Sequence, residues 1–512
     1  MERIRSPDAA ARASQPASAL AGGLASPSEA PPAVARATTA GGTGVGRACA
    51  ALLAAAAVCG CASEHVTPPA VSLPSAYEAP TGPSLAAGEL DHWWTLYRDP
   101  QLASLVEEAL ARAPDARTAV ARLREARAAR SSALSQYDLV GDLNGTGTDT
   151  FNRTLAGTAL DIPGLATSGE SRSGSADLDV SWELDLFGRR GAARRSADAD
   201  LVAARFEEAT SRASLAANVA DSLFAARGLA VQLDDAKESA RVAESLADAA
   251  RARFQAGIAS SSDADQAAAD ARRAQAAAAD LVGQLQAARR SLLVLSGRGT
   301  DPSASLVIQP DLAPPVAAPA VLPGALLVRR PDVREARERL FSAMGKLKLD
   351  ELALLPTVQL SAALTGSRLE QTGYSATTAA WSVGSAVTAP VFSRPRLIAE
   401  VHAQGARAEQ AVVAYEQAVQ TAYGEAENAL AQSAQDKARV AALEQGEAEA
   451  RRAFEAARGR YAAGVDSASD ALLTEQSWRS ARANLTIARI AALRRSVTLF
   501  KALGGGWSPG DA

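Results

Sequence analysis

Cysteine, histidine and methionine are nearly absent, with 3, 3 and 2 residues in a chain of 512. Cys49, Cys59 and Cys61 all fall early, which leaves nothing for a disulfide framework further on. His65, His92 and His402 are too scattered for metal-ligand spacing. Aromatic residues make up only 4%, and proline is missing from Leu165 to Asp301 and again from Arg396 to Ser508. Few aromatics with much Ala, Arg, Glu and Leu disfavour a large globular core and favour long, closely packed helices. Beyond the N-terminal region no apolar run is long enough for a membrane-spanning helix. Lys+Arg 53 against Asp+Glu 57 gives a net charge of −4, so no polyanion partner is indicated. Also missing are a nucleophile elbow, a phosphate-cradling glycine loop before a helix and a His-centred dyad, which argues against an enzyme and against any cofactor.

What the cysteines do mark is a processing signal. RACAALLAAAAVCGC (47–61) has Arg47, a short apolar run and then Val58-Cys59-Gly60 before Cys61. That is the pattern of a secretory signal peptide ending in a lipobox, with Cys61 as the acylated residue. The competing reading is a buried Ala-rich helix, but the run is short and gives way to Ser63, Thr67, Pro68 and Pro69. Multiple acyl chains on Cys61 would hold the protein firmly to a membrane. Ala62 stands where an Asp would signal inner-membrane retention, so the outer membrane is expected. Residues 1–44, rich in Ala, Pro, Ser and Gly, are expected to be an extension upstream of a true start near Val45. The expected organisation is therefore 1–60 extension and signal, 61–89 lipidated linker, and 90 onward structured.

Two periods alternate along the rest. Leu102, Leu105, Val106 and Leu110 recur at helical spacing, and Val120 and Leu123 begin a second helix after Pro114. LDVSWELDL (178–186) then alternates strictly, Leu178, Val180, Trp182, Leu184 and Leu186 on one face against Asp179, Ser181, Glu183 and Asp185 on the other. A transmembrane β-strand with a wet lumen requires that pattern, and 139–151 is a weaker partner. Alternation returns at Val358, Leu360, Ala362 and Leu364, and at Trp381, Val383, Val387, Ala389 and Val391. Four strands per chain in two hairpins, about 137–187 and 356–392, are expected. Trp182 and Trp381 suit an interfacial aromatic girdle. Four strands cannot close into a barrel, and lipid tolerates no open edge, so the strands either form a soluble sheet or are pooled by several chains.

After each hairpin comes a proline-free helical tract broken once. RFQAGIASSSD (253–263) interrupts the first and RYAAGVDSASD (460–470) the second, about two hundred residues apart. The order of helix, hairpin, long helix, glycine turn and long helix is run twice, in 90–300 and 324–507. A Pro-rich linker (301–323) joins the halves and a short tail (508–512) follows. Gly257 and Gly464 allow the positive φ that reverses a long helix. Ser262 and Ser469, or Asp263 and Asp470 beside them, are expected to cap the returning helices. Gly504, Gly505 and Gly506 read as a helix stop, and Arg329-Arg330-Pro331-Asp332 as a helix start.

WWTLYRDPQLASLVEEAL (93–110), LLVRRPDVREARERL (326–340), the two glycine turns, SLLVLSG (291–297) and LFKALGGGW (499–507) together resemble the outer-membrane efflux protein (TolC-like) family. The likeness is to its lipoprotein branch, which serves resistance-nodulation-division pumps. It covers nearly all of the chain from residue 61 to 507, and the combined order of motifs is far more specific than any one of them. The resemblance implies a mainly α protein with transmembrane β structure. A homotrimer would pool its strands into a twelve-stranded barrel above a long coiled-coil α-barrel. It implies a passive conduit exporting drugs or other small solutes, with a periplasmic adaptor and an inner-membrane pump as partners. It also implies an aperture lined by Asp470, with Asp466 as a second candidate; the competing reading makes Asp470 a helix cap. Leu473 stands where family members can carry another acid, which removes one candidate ring. Tyr461 and Arg460 are candidates for contacts that keep the tip closed, against plain interhelix packing. Ala256, Gly257, Ala463 and Gly464 are small enough for an adaptor hairpin to approach. A periplasmic adaptor or a coiled-coil scaffold lipoprotein is the rival, opposed by the duplication and the two strand pairs.

Overall fold

The computed structural model describes residues 66, 67, 69–81, 87–153, 155, 169–317, 319–371 and 374–508. Cys61 and the signal region lie outside the described residues. Chain order runs α1 (Ala87–Asp91), α2 (Pro100–Arg112), α3 (Pro114–Ser135), β1 (Val140–Asn152), β2 (Gly169–Leu184), α4 (Arg189–Gln255) and α5 (Ser261–Leu295). The second half runs α6 (Leu326–Arg329), α7 (Pro331–Leu352), β3 (Thr357–Gln371), β4 (Tyr374–Thr388), α8 (Arg394–Ala462) and α9 (Ala468–Ala502). The 67 residues of α4 and 69 of α8 correspond to helices about 100 Å long. None of the described helices is long and apolar enough to cross a membrane.

Helix ends follow local chemistry. Asp99 accepts from the backbone N–H of Gln101 and Leu102 and so starts α2, with Pro100 in the first turn. At the end of α9, Gly504 and Gly505 donate back to Lys501 and Phe500, which makes the triple glycine a helix stop. Pro331 opens α7, and Arg330 pairs with Asp332 and Glu425, giving RRPD a structural role.

The strands form a single antiparallel sheet in the order β1-β2-β3-β4. The two hairpins are joined by β2 against β3, which sets Leu178 opposite Leu364. β2 stops at Leu184, short of Leu186, because the Asp185 carboxylate takes the backbone N–H of Arg189 and Arg190 and starts α4. β4 stops at Thr388, before Ala389 and Val391, where Pro390 interrupts the ladder.

The main core lies where α1, α2, α4, α5 and α9 meet. Trp93 stacks on Phe500 with ring centroids 5.5 Å apart, and Tyr97 packs against Phe224. Trp93, Trp94, Tyr97, Phe224 and Phe500 are thus gathered at one level. Arg227 of α4 reaches Asp99 and Gln101 in an almost fully buried pair that pins α2 to the shaft. Residues 66, 67 and 69–81 lie along the second half of the molecule. Val66 packs near Leu354 and Leu397 beside the strand ends. Further along, the backbone N–H groups of Glu78 and Ala79 donate to Glu427, and Tyr77 stacks on Tyr423.

Candidate functional site

Two regions carry chemistry that packing does not explain. The first is the sheet. Register places Leu143, Leu178, Val180, Leu360, Ala362, Leu364, Trp381 and Val383 on one face. Asp142, Asp177, Asp179, Ser181, Ser361, Thr365 and Ser382 lie on the other. A soluble sheet would bury the apolar face. Here Leu143 is 77%, Val383 74% and Trp381 78% exposed, and β1 is exposed along its whole length. Trp182 sits near the end of β2, where a girdle residue belongs. Trp381 instead lies mid-strand opposite Leu364, within the apolar band. The β1 and β4 edges have no strand partner among the described residues.

The second region is the pair of glycine turns. Gly257 and Gly464 have φ of +75° and +76°. At each turn the glycine and the residue after it donate back to the helix: Gly257 to Phe254 and Ile258 to Arg253, Gly464 to Tyr461 and Val465 to Arg460. Both turns therefore end their helices through the same paired bonds, and the positive φ makes glycine necessary. Ala256, Gly257, Ala463 and Gly464 are all exposed, with Ile258 and Val465 projecting beside them.

The returning helices are capped two residues earlier than expected. Ser260 and Ser467, in extended conformation, accept from the N–H of Asp263 and Asp470. Ser262 lies inside α5 and Ser469 inside α9, past the cap positions. Asp470 is exposed in the first turn of α9 and also accepts from the Ser467 hydroxyl at 2.7 Å. Asp466 is not a bare carboxylate, since Arg460 binds it at 2.7 Å across its own turn.

Tyr461 is 4% exposed, held among Leu246, Ala250, Ala267, Ala471 and Leu472 of both hairpins. Arg253 lies over its ring, 3.7 Å from the centroid, and donates to its backbone carbonyl. Arg253 is a functional residue that motif reading alone does not single out, although the repeat holds the signal. Arg253 and Arg460 occupy equivalent positions, but Asp466 is matched by Ala259 in the first turn. With no acid in its own turn, Arg253 reaches across to the second hairpin instead.

The outer membrane efflux protein family model matches residues 105–298 and 322–505, one segment in each half of the duplicated unit. The pyoverdine export outer membrane protein OpmQ of Pseudomonas aeruginosa is 31% identical over 437 residues, 83% of this chain and 90% of that protein. The cation efflux system protein CusC of Escherichia coli is 28% identical over 419 residues, 81% of this chain and 88% of its own. Among solved structures, the outer membrane protein VceC of Vibrio cholerae matches with a TM-score of 0.71 at 25% identity, over 82% of this chain and 99% of its own. The chain belongs to the outer membrane efflux protein family, and it is an outer-membrane channel component of an efflux system rather than an enzyme.

Proposed function

We propose that three copies of this chain close into one conduit, docked through a periplasmic adaptor onto a resistance-nodulation-division pump. The conduit passes drugs or other small solutes outward. The observation that carries the reading is the four-stranded sheet with an exposed apolar face and two unpaired edges. Lipid admits such a sheet only when its edges are joined, and three copies supply twelve strands. The apolar face then meets lipid, and Asp142, Asp177 and Asp179 line water.

Cys61 is the lipid anchor in this reading. Val66 lies beside the strand ends, and five residues reach at most about 17 Å, so an acylated Cys61 falls within range of the leaflet on the helical side of the sheet. The glycine turns form the far end. Asp470 carries the net negative charge of the aperture, because Arg460 offsets Asp466. Tyr461, gripped by Arg253, ties the second hairpin to the first and keeps the aperture shut. Ala256, Gly257, Ala463 and Gly464 form the surface that an adaptor hairpin meets. OpmQ is named for pyoverdine and CusC for cations, so in this reading the pump, rather than the shared conduit, selects the cargo.

The deciding experiment fractionates cells expressing the full chain and labelled with palmitate. Heat-modifiable trimers in the outer membrane, labelled in wild type and unlabelled in Cys61→Ser, are expected. Recovery of a soluble periplasmic monomer would overturn the conduit, and label persisting in Cys61→Ser would overturn the anchor.

A further inference from the structure

The duplicated unit builds the same joint twice. LARAPDAR (110–117) and LVRRPDVR (327–334) each end one helix and start the next, at the α2–α3 and α6–α7 junctions. Each junction is met by the glycine that closes its repeat. A Cβ on Gly297 would stand 2.9 Å from the carbonyl oxygen of Arg112, and one on Gly504 would stand 2.9 Å from that of Arg329. Both glycines have φ of +77°. Counting on from Pro114 and Pro331 along α3 and α7, and back from Gly257 and Gly464 along α4 and α8, fixes which residues correspond.

In the second half the groove beside the joint is filled. Val71 and Leu73 of the N-terminal strap pack there with Leu327, Tyr415 and Val419. The strap is nearly extended: Val66 lies in the cluster of Val401, and Ala79 meets Glu427, about 40 Å further along α8. In the first half the equivalent groove is a cavity of about 1300 Å³. Leu110, Glu208 and Arg212 line it where Leu327, Tyr415 and Val419 stand in the second half, and Arg127 and Arg205 where Met344 and Val412 stand. Four positions that are apolar in the half carrying the strap are thus three arginines and one glutamate in the other. Arg212 holds Glu208 at 3.6 Å, whereas Arg127 and Arg205 form no ion pair among the described residues. Of the acids across the cavity, Asp91 is bound by Arg329, and Glu89 and Glu107 stand exposed at the rim. Trp94, Ala209 and Trp507 supply buried apolar lining.

We propose that this cavity is the docking site for an extended acidic segment of a separate periplasmic protein. The strap shows what such a joint accommodates, an extended chain running along the shaft. The strap of another copy is a poor occupant, because Val71 and Leu73 would press apolar groups onto Arg205, Glu208 and Arg212 and strip those charges of water. Acidic side chains at the same two positions would instead meet Arg127 and Arg205 in charge-assisted hydrogen bonds. The inference goes beyond the conduit reading and rests on it in one respect. The strap runs toward the anchor at Cys61, which makes its face, and that of the equivalent cavity, the outer one.

The test uses the full-length chain as detergent-solubilised trimers, verified by heat-modifiability on gels. The probe is a fluorescent peptide copying residues 71–79 with Val71→Glu and Leu73→Glu. Anisotropy titrations should show it binding wild type, with the unaltered peptide and a Val71→Lys, Leu73→Lys peptide each weaker by about tenfold or more. Arg127→Gln combined with Arg205→Gln should abolish that preference while trimers persist. Arg489→Gln, which breaks a 2.7 Å pair to Glu444 within the second hairpin, should leave it intact. Equal binding of the three peptides, or a preference that survives loss of both arginines, overturns the site. Binding of cell-wall glycan fragments in place of the acidic peptide also overturns it and assigns the cavity to a saccharide. Intact trimers that ignore the acidic peptide overturn the docking site and leave the conduit standing. Absence of trimers overturns the conduit, and with it the outward face on which the docking site depends.

Discussion

Glu475 shows how one residue can weaken the end of a long shaft. Its side chain is fully buried in α9, one oxygen bound by Arg479 at 2.6 Å and the other without a partner. Burial pushes its carboxyl above the usual range; Arg479 pulls it back and Asp270 adds to the rise. The folded protein therefore holds this proton more tightly than the unfolded chain does. Its contribution to stability is fullest below the ordinary carboxylate range and is lost as pH rises through the elevated value. Glu475→Gln keeps an acceptor for Arg479 and removes the charge. We expect this variant to lose the decline in stability that wild type shows as pH rises above the ordinary carboxylate range, and to melt higher than wild type once that decline is complete. Calorimetry of detergent-solubilised trimers across that range checks it. An identical decline in both proteins would show that another group titrates.

Among whole elements, the glycine turns separate what a backbone needs from what a partner needs. Gly464 sits at φ +76° whereas Ala463 beside it sits at −76°. Any side chain at Gly464 costs about 1–2 kcal/mol for the left-handed backbone alone, so a bulky residue there confuses turn strain with lost docking. Ala463→Trp avoids the strain. Its trimers should melt as wild type does while drug susceptibility rises in cells carrying pump and adaptor; unchanged susceptibility would remove Ala463 from the docking surface. Gly464→Ala should instead lower the melting temperature. The turns were legible in sequence because a glycine between two proline-free helical tracts has few other uses. The caps were less so, since Ser260, Ser261 and Ser262 stand in a row and only the extended backbone of Ser260 singles it out. Periods likewise revealed four strands and their faces, each face being sorted by its surroundings. That β2 pairs with β3, and that Arg253 crosses to Tyr461, depends on segments far apart in sequence. No period records such contacts.

At the scale of the whole molecule, the sheet decides between a membrane barrel and an ordinary soluble layer, and adjacent positions on β4 can test it. Val383 and Ser382 are neighbours whose side chains fall on opposite faces, Val383 opposite Ala362 and Ser382 opposite Ala363. If both faces of the sheet stayed in water, an arginine at either site would be tolerated alike. In a trimeric barrel the outcomes part. An arginine at Val383 enters the lipid face at a cost of about 2–4 kcal/mol near the bilayer midplane, repeated in each of three copies. Val383→Arg should therefore sharply reduce heat-modifiable trimers in the outer membrane. Ser382→Arg points its charge into the lumen, on the face that carries Asp142, Asp177 and Asp179. It should assemble normally and lower the preference for cations in reversal-potential measurements. Equal trimer yields from the two variants would show that the apolar face does not meet lipid, and the sheet would then need a different partner to cover it.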